Sequence, residues 1–340
     1  MKVRETEIEL LRIVVMILII ITHLAVWGTA KTENATILQQ TTAEITNAII
    51  RWHVNVFVII TGYFGIKSRK SMLNIIIMSV FYTWFLYGLQ CIFCGYNFSI
   101  LRIVKSLFFI THCSYWFVQS YLLLIILAPF INKLIDKKHI FILLGSFLFI
   151  DCWCGYIHNE TISNGFGIIH FTTMYIIGRS IQLLKINLSK TSLIAIFTTI
   201  NILIILQYYY FRDLASGHGY NNPLLVSQAV IVFLSFKKTI LKNNFINTIA
   251  ASSFAVYLIH DSDFGHYYIL KIMTTTNSYI FNPISYLITL IILGCFIYLL
   301  CTLSDKILQY ISHFENYKNL RLSLLCVQKY QQAVNRLHLF

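Results

Sequence analysis

Two residues eleven positions apart carry the first chemical signal in this chain. Arg12 and His23 both lie in the apolar run IELLRIVVMILIIITHLAVWG, residues 8–28. At 3.6 residues per turn that spacing is almost three full turns, so both side chains leave one helix face, separated by about 16 Å of rise. A fixed charge and a titratable ring are expensive in hydrocarbon unless they face a partner, a cavity or the interface. A guanidinium suits a phosphate, and a neutral imidazole can take the proton from a hydroxyl as its oxygen attacks an electrophile. Arg51 and His53 open a second apolar run, and His260, followed by Asp261 and Asp263, closes a later one. Helical spacing sets these groups at a depth similar to that of His23. The pattern suits direct transfer from a bound, anionic, activated donor to a hydroxyl. Other readings of the same residues stay open: Arg12 snorkelling to the interface, and the histidines as hydrogen-bonded packing groups.

Other chemistries lack their residues. The chain has no GxSxG elbow, no HExxH and no phosphate-binding glycine loop. Its histidines are too dispersed to assert a zinc site, so no metal is expected. Cys91 and Cys94 have CxxC spacing but no second pair.

The elements that must position these groups are read from composition. Of 340 residues, 57% are hydrophobic and only 11% charged, too few charges to cover a soluble protein of this length. The expected fold class is therefore all-α, a polytopic transmembrane helical bundle. Ten apolar runs are near the length that crosses a bilayer: about 8–28, 47–66, 72–92, 115–135, 139–157, 166–184, 192–211, 223–237, 246–262 and 283–304. The eighth and ninth are short. The segment 98–112, with Arg102 and Lys105 among Leu and Phe, reads as an amphipathic helix at the interface, with a re-entrant or eleventh crossing as the alternative. The first run is too long for a signal-peptide core and is expected to stay in place.

The net charge of +13 comes in short clusters between runs, with no nucleic-acid-binding motif, so no nucleic acid partner is expected. With a cytoplasmic N terminus, one face collects Lys2, Arg4, Lys67, Arg69, Lys70, Lys133, Lys137, Lys138, Lys185, Lys190, Lys237, Lys238 and Lys242. The other receives Lys31, Arg102, Lys105, Arg212 and Lys271. The positive-inside tendency then sets both termini in the cytoplasm. The longer outer connections, 29–46, 93–114, 158–165, 211–222 and 263–282, read as loops, where a polar substrate would be met. Residues 1–304 form one membrane domain, and 305–340 a short cytoplasmic amphipathic tail.

Four segments, in order, carry a resemblance. They are Arg12 through His23 with Glu9 ahead of the arginine, VNVFVIITGYFG at 54–65, SYWFVQSYLLLIILAPFINKLI at 114–135, and SSFAVYLIHDS at 252–262. Together they resemble the integral-membrane acyltransferase 3 family, bacterial enzymes that acylate surface polysaccharides and related glycans. The resemblance spans about residues 5–304. It implies a multi-pass protein of the bacterial cytoplasmic membrane that moves an acyl group, usually acetyl, from cytoplasmic acetyl-CoA to a sugar hydroxyl. It also implies His23 as the catalytic histidine, Arg12 as its companion at the donor, and His260 as the late-span histidine. Arg51, His53, Tyr63 and Trp116 fall in matching regions and are accessory candidates, with Glu9. Ile13–Val14–Val15 departs from the usual Gly-x-Ala, and Thr61 replaces a frequent Ser but keeps its hydroxyl. The 340 residues include no SGNH-type domain, which points to a stand-alone glycan acetyltransferase. The acceptor is expected to be a glycan or lipid-linked saccharide. Alternatives are a non-glycan acceptor, a glycan transporter or polymerase, and a non-catalytic scaffold or sensor.

Overall fold

The computed structural model describes residues 5–66, 70–108, 115–158, 163–210 and 219–337, with side chains on the last helix as far as Ile311. Lys2, Arg4, Lys67, Arg69 and Arg212, five of the charges used for orientation, lie outside the described residues, as does the side chain of Lys70. The described elements are helices, with no strand among them. They are α1 (Thr6–His23), α2 (Ile37–Ile50), α3 (His53–Phe64), α4 (Lys70–Phe93), α5 (Ile100–Lys105), α6 (Trp116–Leu134) and α7 (Ile140–Leu148). These are followed by α8 (Ile168–Leu184), α9 (Lys190–Tyr210), α10 (Pro223–Lys237), α11 (Asn244–Ala250), α12 (Ser253–His260), α13 (Asp263–Tyr279) and α14 (Pro283–Leu337). Both α1 and α7 continue as wider π-helical turns, Leu24–Thr29 and Phe149–Ile157.

Polarity is arranged for a lipid surround. Large apolar residues such as Ile77, Phe130, Phe141, Ile194 and Ile291 are exposed, while His53, Asn55, Asp151, His170 and Gln228 are almost wholly buried. In water that distribution would be unfavourable; in hydrocarbon the backbone is satisfied within each helix and polar side chains turn inward. Seven helical segments among the described residues are long and apolar enough to cross a membrane.

Three of the ten expected runs form shorter helices, and one of these three is broken. Run 166–184 is the 17-residue α8, and run 223–237 is the 15-residue α10, started by Asn222 as N-cap with Pro223 in the first turn. Run 246–262 is not one helix. It breaks at Ala251–Ser252 into α11 and α12, both packed on α1, where small residues from Ala250 to Ser253 let the chain turn against that helix. Two expected loops are largely helical as well. Within 29–46, Thr36 and Gln39 form a reciprocal capping box that starts α2. Most of 263–282 is α13, whose N-cap Ser262 accepts from the Gly265 amide at 3.0 Å. The described part of 98–112 holds the short helix α5, with Leu101 and Val104 exposed as expected of an interfacial segment.

The helix α14 runs without a break across position 304. Buried Asp305 accepts a hydrogen bond from the Tyr82 hydroxyl at 2.6 Å, which fixes this stretch against α4.

The frame rests most heavily on α3 and α8, which have the most intimate contact in the bundle. Two glycines make it possible. A Cβ on Gly62 would lie 2.3 Å from the Tyr175 carbonyl oxygen, and one on Gly178 would lie 2.3 Å from that of Ile59. Close backbone approach of this kind is how small residues bind helices in a membrane, where hydrophobic exclusion does not help. Gly88, by contrast, has nothing within 4 Å of its Cβ position. Gly62→Ala should therefore cost about 1–3 kcal/mol of stability through overpacking. Gly88→Ala should be neutral or slightly stabilising, as in any exposed helix. Thermal unfolding of the two purified variants checks this, and equal midpoints would contradict the α3–α8 contact.

Candidate functional site

A stripe along α1 builds one wall of the site. Glu9, Arg12, Met16, Ile19 and His23 recur at three- and four-residue spacing, the period of one helix face, and all line a cavity of about 340 Å³. Aromatic groups from α6 and the 219–222 turn, including Trp116, Tyr121 and Tyr220, line the same space, with Thr61 of α3. Arg12 stands near the Thr6 end, 3.5 Å from Glu9, with its side chain over a third exposed. The Thr61 hydroxyl lies 3.2 Å from that of Tyr121, so the residue that replaces a serine keeps a hydrogen bond in the cavity wall.

At the far end of the stripe the polar groups converge. His23 Nδ1 is 3.5 Å from Asp261 Oδ1, and His266 Nε2 is 3.0 Å from the same oxygen. The His260 ring is 5.1 Å from that of His23, and the His266 ring 5.9 Å. Trp27 stacks on His266 at 4.9 Å, with the Lys31 ammonium 3.5 Å from the indole centroid. The sequence HDSDFGH dictates this corner. His260 ends α12, Ser262 caps α13, and Gly265 permits the two helices to meet, since a Cβ there would lie 2.3 Å from the His260 carbonyl oxygen.

Tautomers can be assigned from partners. His260 Nδ1 is 2.7 Å from the Val256 carbonyl, which only accepts, so Nδ1 carries a proton. Among the described residues its Nε2 is buried without a hydrogen-bond partner, as is His23 Nδ1, whose distance from Asp261 is long for a hydrogen bond. His53 Nε2 lies 2.9 Å from the hydroxyl of Thr22, the neighbour of His23. Arg51 sits over the Tyr220 ring at 4.9 Å.

The expected site residues thus divide. Arg12, Glu9, His23 and Trp116 line one cavity, and His260, His53 and Arg51 flank its far end. Tyr63 is not brought to His23; it packs on Phe233 and lies under Lys237, whose other contact is an ion pair with Glu5 beside the start of α1. The structure adds Asp261, a cavity-lining residue, and His266. The ligand atoms of His23, Asp261 and His266 all lie within 4.8 Å of one another, a spacing that could also hold a cation.

A second buried network stands behind Tyr220. His170 Nδ1 is 2.8 Å from Asp151 Oδ2, and its Nε2 is 2.8 Å from Asn55 Oδ1. Asn55 donates its amide to the Tyr220 carbonyl at 2.9 Å, and Asn221 donates to the Asp151 carbonyl at 2.9 Å. With the Asn55 oxygen accepting, His170 Nε2 must donate. The proton between His170 and Asp151 then makes either an ion pair or a neutral acid–imidazole pair. Both forms tie the Tyr220 wall to α3, α8 and the turn after α7.

A family model described as an acyltransferase domain, Acyl_transf_3, matches residues 5–305. The chain belongs to the acyltransferase 3 family. No curated protein and no solved structure matches it. The match begins just before α1 and ends at Asp305, so it takes in the cavity and the histidine cluster of this membrane acyltransferase. The acyltransferase's Asp151–His170 pair yields a stability test. Asp151→Ala should destabilise it by about 3–5 kcal/mol, the usual result of stripping one partner from a buried pair. Asp136→Ala, where the exposed carboxylate is held below the ordinary range by hydrogen bonds from His139, should change the unfolding midpoint little. Equal effects of the two substitutions would mean that the buried network contributes nothing.

Proposed function

We propose that this membrane acyltransferase is an O-acetyltransferase of the bacterial cytoplasmic membrane, using cytoplasmic acetyl-CoA to acetylate a hydroxyl of a cell-surface or lipid-linked glycan. The observation that carries the reading is the single cavity with Arg12 at one end and His23, backed by Asp261, at the other. Arg12 is the cytoplasmic-side contact for a donor phosphate, as a fork-shaped guanidinium is suited to be. The apolar middle of the cavity, along Met16 and Ile19, accommodates an extended thioester arm and excludes water from the acyl group.

At the far end, His23 Nε2 takes the proton of the acceptor hydroxyl while its oxygen attacks the thioester carbonyl. The carbon–oxygen bond forms, the carbon–sulfur bond breaks, and the proton passes from His23 to the departing CoA thiolate. Asp261 faces Nδ1 and stabilises the imidazolium that forms between these steps, the role a buried carboxylate has beside any catalytic histidine. The 3.5 Å separation would shorten as charge develops. His53, bonded to Thr22 beside His23, and Arg51, over the Tyr220 ring of the cavity wall, are the candidates for stabilising the oxyanion.

The spacing of His23, Asp261 and His266 favours one second reading, a bound cation that polarises the carbonyl. Two measurements separate the possibilities. Purified protein with acetyl-CoA and glycan acceptor should release free CoA, and Arg12→Ala should raise the KM for acetyl-CoA at least ~10-fold, about 1.4 kcal/mol. Dialysis against a chelator should leave the rate unchanged; a loss restored by added Zn²⁺ would make His23 a ligand and not a base. No CoA release with any glycan would return the fold to a non-glycan acylator or a transporter.

A further inference from the structure

A second cavity, of about 370 Å³, lies between α4, α5 and the α12–α13 corner, and no role has yet been given to it. Its wall combines two kinds of group that recognise saccharides. Exposed Trp84 supplies an aromatic face, while Thr83, Gln90, Arg102 and Lys105 supply polar heads. We propose that this cavity is the acceptor subsite and that it takes an anionic saccharide, with a sugar ring on the aromatic wall and its acidic group on Lys105. The proposal rests on the acyltransfer reading above and names the acceptor class for it.

Three observations carry it. The first is Gln90. It is only 2% exposed, lines the cavity, and its amide nitrogen has no hydrogen-bond partner among the described residues. Buried amide donors are almost always satisfied, so one left open against a polar cavity marks a place for a ligand acceptor oxygen.

The second is charge. Arg102 is already committed, paired with Asp263 and stacked over Tyr87 at 4.8 Å. Lys105, one turn along α5, is exposed and has no carboxylate partner among the described residues. The cavity therefore keeps one uncompensated positive charge, which suits a carboxylate or phosphate and not a neutral sugar alone.

The third is position. Tyr115 and Ser262 line this cavity, while their chain neighbours Trp116 and Asp261 line the donor cavity. The Tyr115 hydroxyl donates to the Leu258 carbonyl at 2.9 Å, which fixes that shared wall. Asp263, on the rim, is two residues from Asp261, so their Cα atoms are at most about 7 Å apart. A saccharide held here brings a hydroxyl to His23 only where it extends past Ser262 and Asp261 into the donor cavity.

The test is binding of defined probes to the full chain in phosphatidylcholine nanodiscs, read by isothermal titration. Trigalacturonate should bind at least tenfold more tightly than maltotriose. Lys105→Ala should remove that preference, and Lys105→Glu should reverse it. Gln90→Ala should weaken both saccharides, and acetyl-CoA binding should stay unchanged in the Lys105 variants. Equal affinity for the two saccharides, no binding of either, or a preference that survives Lys105→Ala would each overturn the proposal. Displacement of trigalacturonate by phosphatidylglycerol in the disc, with retention of that lipid depending on Lys105, would make the cavity a lipid headgroup site and overturn it too. Release of CoA, measured on the same preparation, keeps the two ideas apart. Trigalacturonate binding without CoA release would leave a saccharide site but overturn its acceptor role together with the transfer reading; CoA release without saccharide preference would overturn the subsite and leave the transfer reading standing.

Discussion

One partly buried carboxylate, Asp261, joins the elements at this end of the molecule. An ionised group such as Asp261 in an apolar interior is unfavourable by several kcal/mol unless neighbours compensate it. Here the compensation comes from His266 at 3.0 Å and His23 at 3.5 Å, brought from two helices that meet at the α12–α13 corner. Asp261 sits where the Ser262 cap starts α13, where Gly265 approaches α12 closely, and where His23 ends α1. The π-helical turn that begins directly after His23 packs on α13, with Gly28 against Met273. Local widening of a helix at a functional residue is a common use of that conformation.

The rest of the cavity follows from helix geometry. Once His23 is held at one end, the α1 period carries Ile19, Met16 and Arg12 down the same wall without further specification. The opposite wall needs more support, because Tyr220 belongs to a turn and not to a helix. That support is the chain of buried partners from Asp151 through His170 and Asn55, ending at the Tyr220 backbone. If the proposed reading holds, a cavity apolar in its middle and charged at its ends would give acyl transfer a dry path between two polar sites. Water at the thioester would compete with the acceptor hydroxyl.

Much of this was legible in the sequence, for identifiable reasons. The shared face of Arg12 and His23 needs only the helical repeat, and membrane insertion needs only the scarcity of charge. The convergence of His260 and His53 on His23 was visible as shared depth, and the structure supplies the proximity that depth alone does not. Tyr63, an accessory candidate from the resemblance, lies ten residues beyond His53 on α3, toward the Glu5 end. His266 was missed because the polar run Thr274–Ser278 makes 263–282 read as a loop, although the Ser262 cap three residues before Gly265 was a usable helix-start signal. Asp151 and His170 each looked like an isolated polar residue in an apolar run. Only tertiary packing pairs them with each other and with Asn55, which lies 115 residues from His170. The ninth run was read as one crossing because hydropathy does not register a break made by four small residues.

The central claim is that His23 moves a proton and does not merely fill space. The most direct measurement compares acetyl transfer by purified wild-type protein and His23→Gln, matched for folded fraction and for CoA affinity. An amide of similar size keeps hydrogen bonding but cannot take a proton at neutral pH. If His23 is the general base, kcat falls at least ~100-fold, the lower end of what a positioned acid–base group supplies, while CoA affinity is unchanged. If His23→Gln keeps more than about a third of the wild-type kcat, far above that ~100-fold loss, the histidine is a packing residue and the mechanism is wrong.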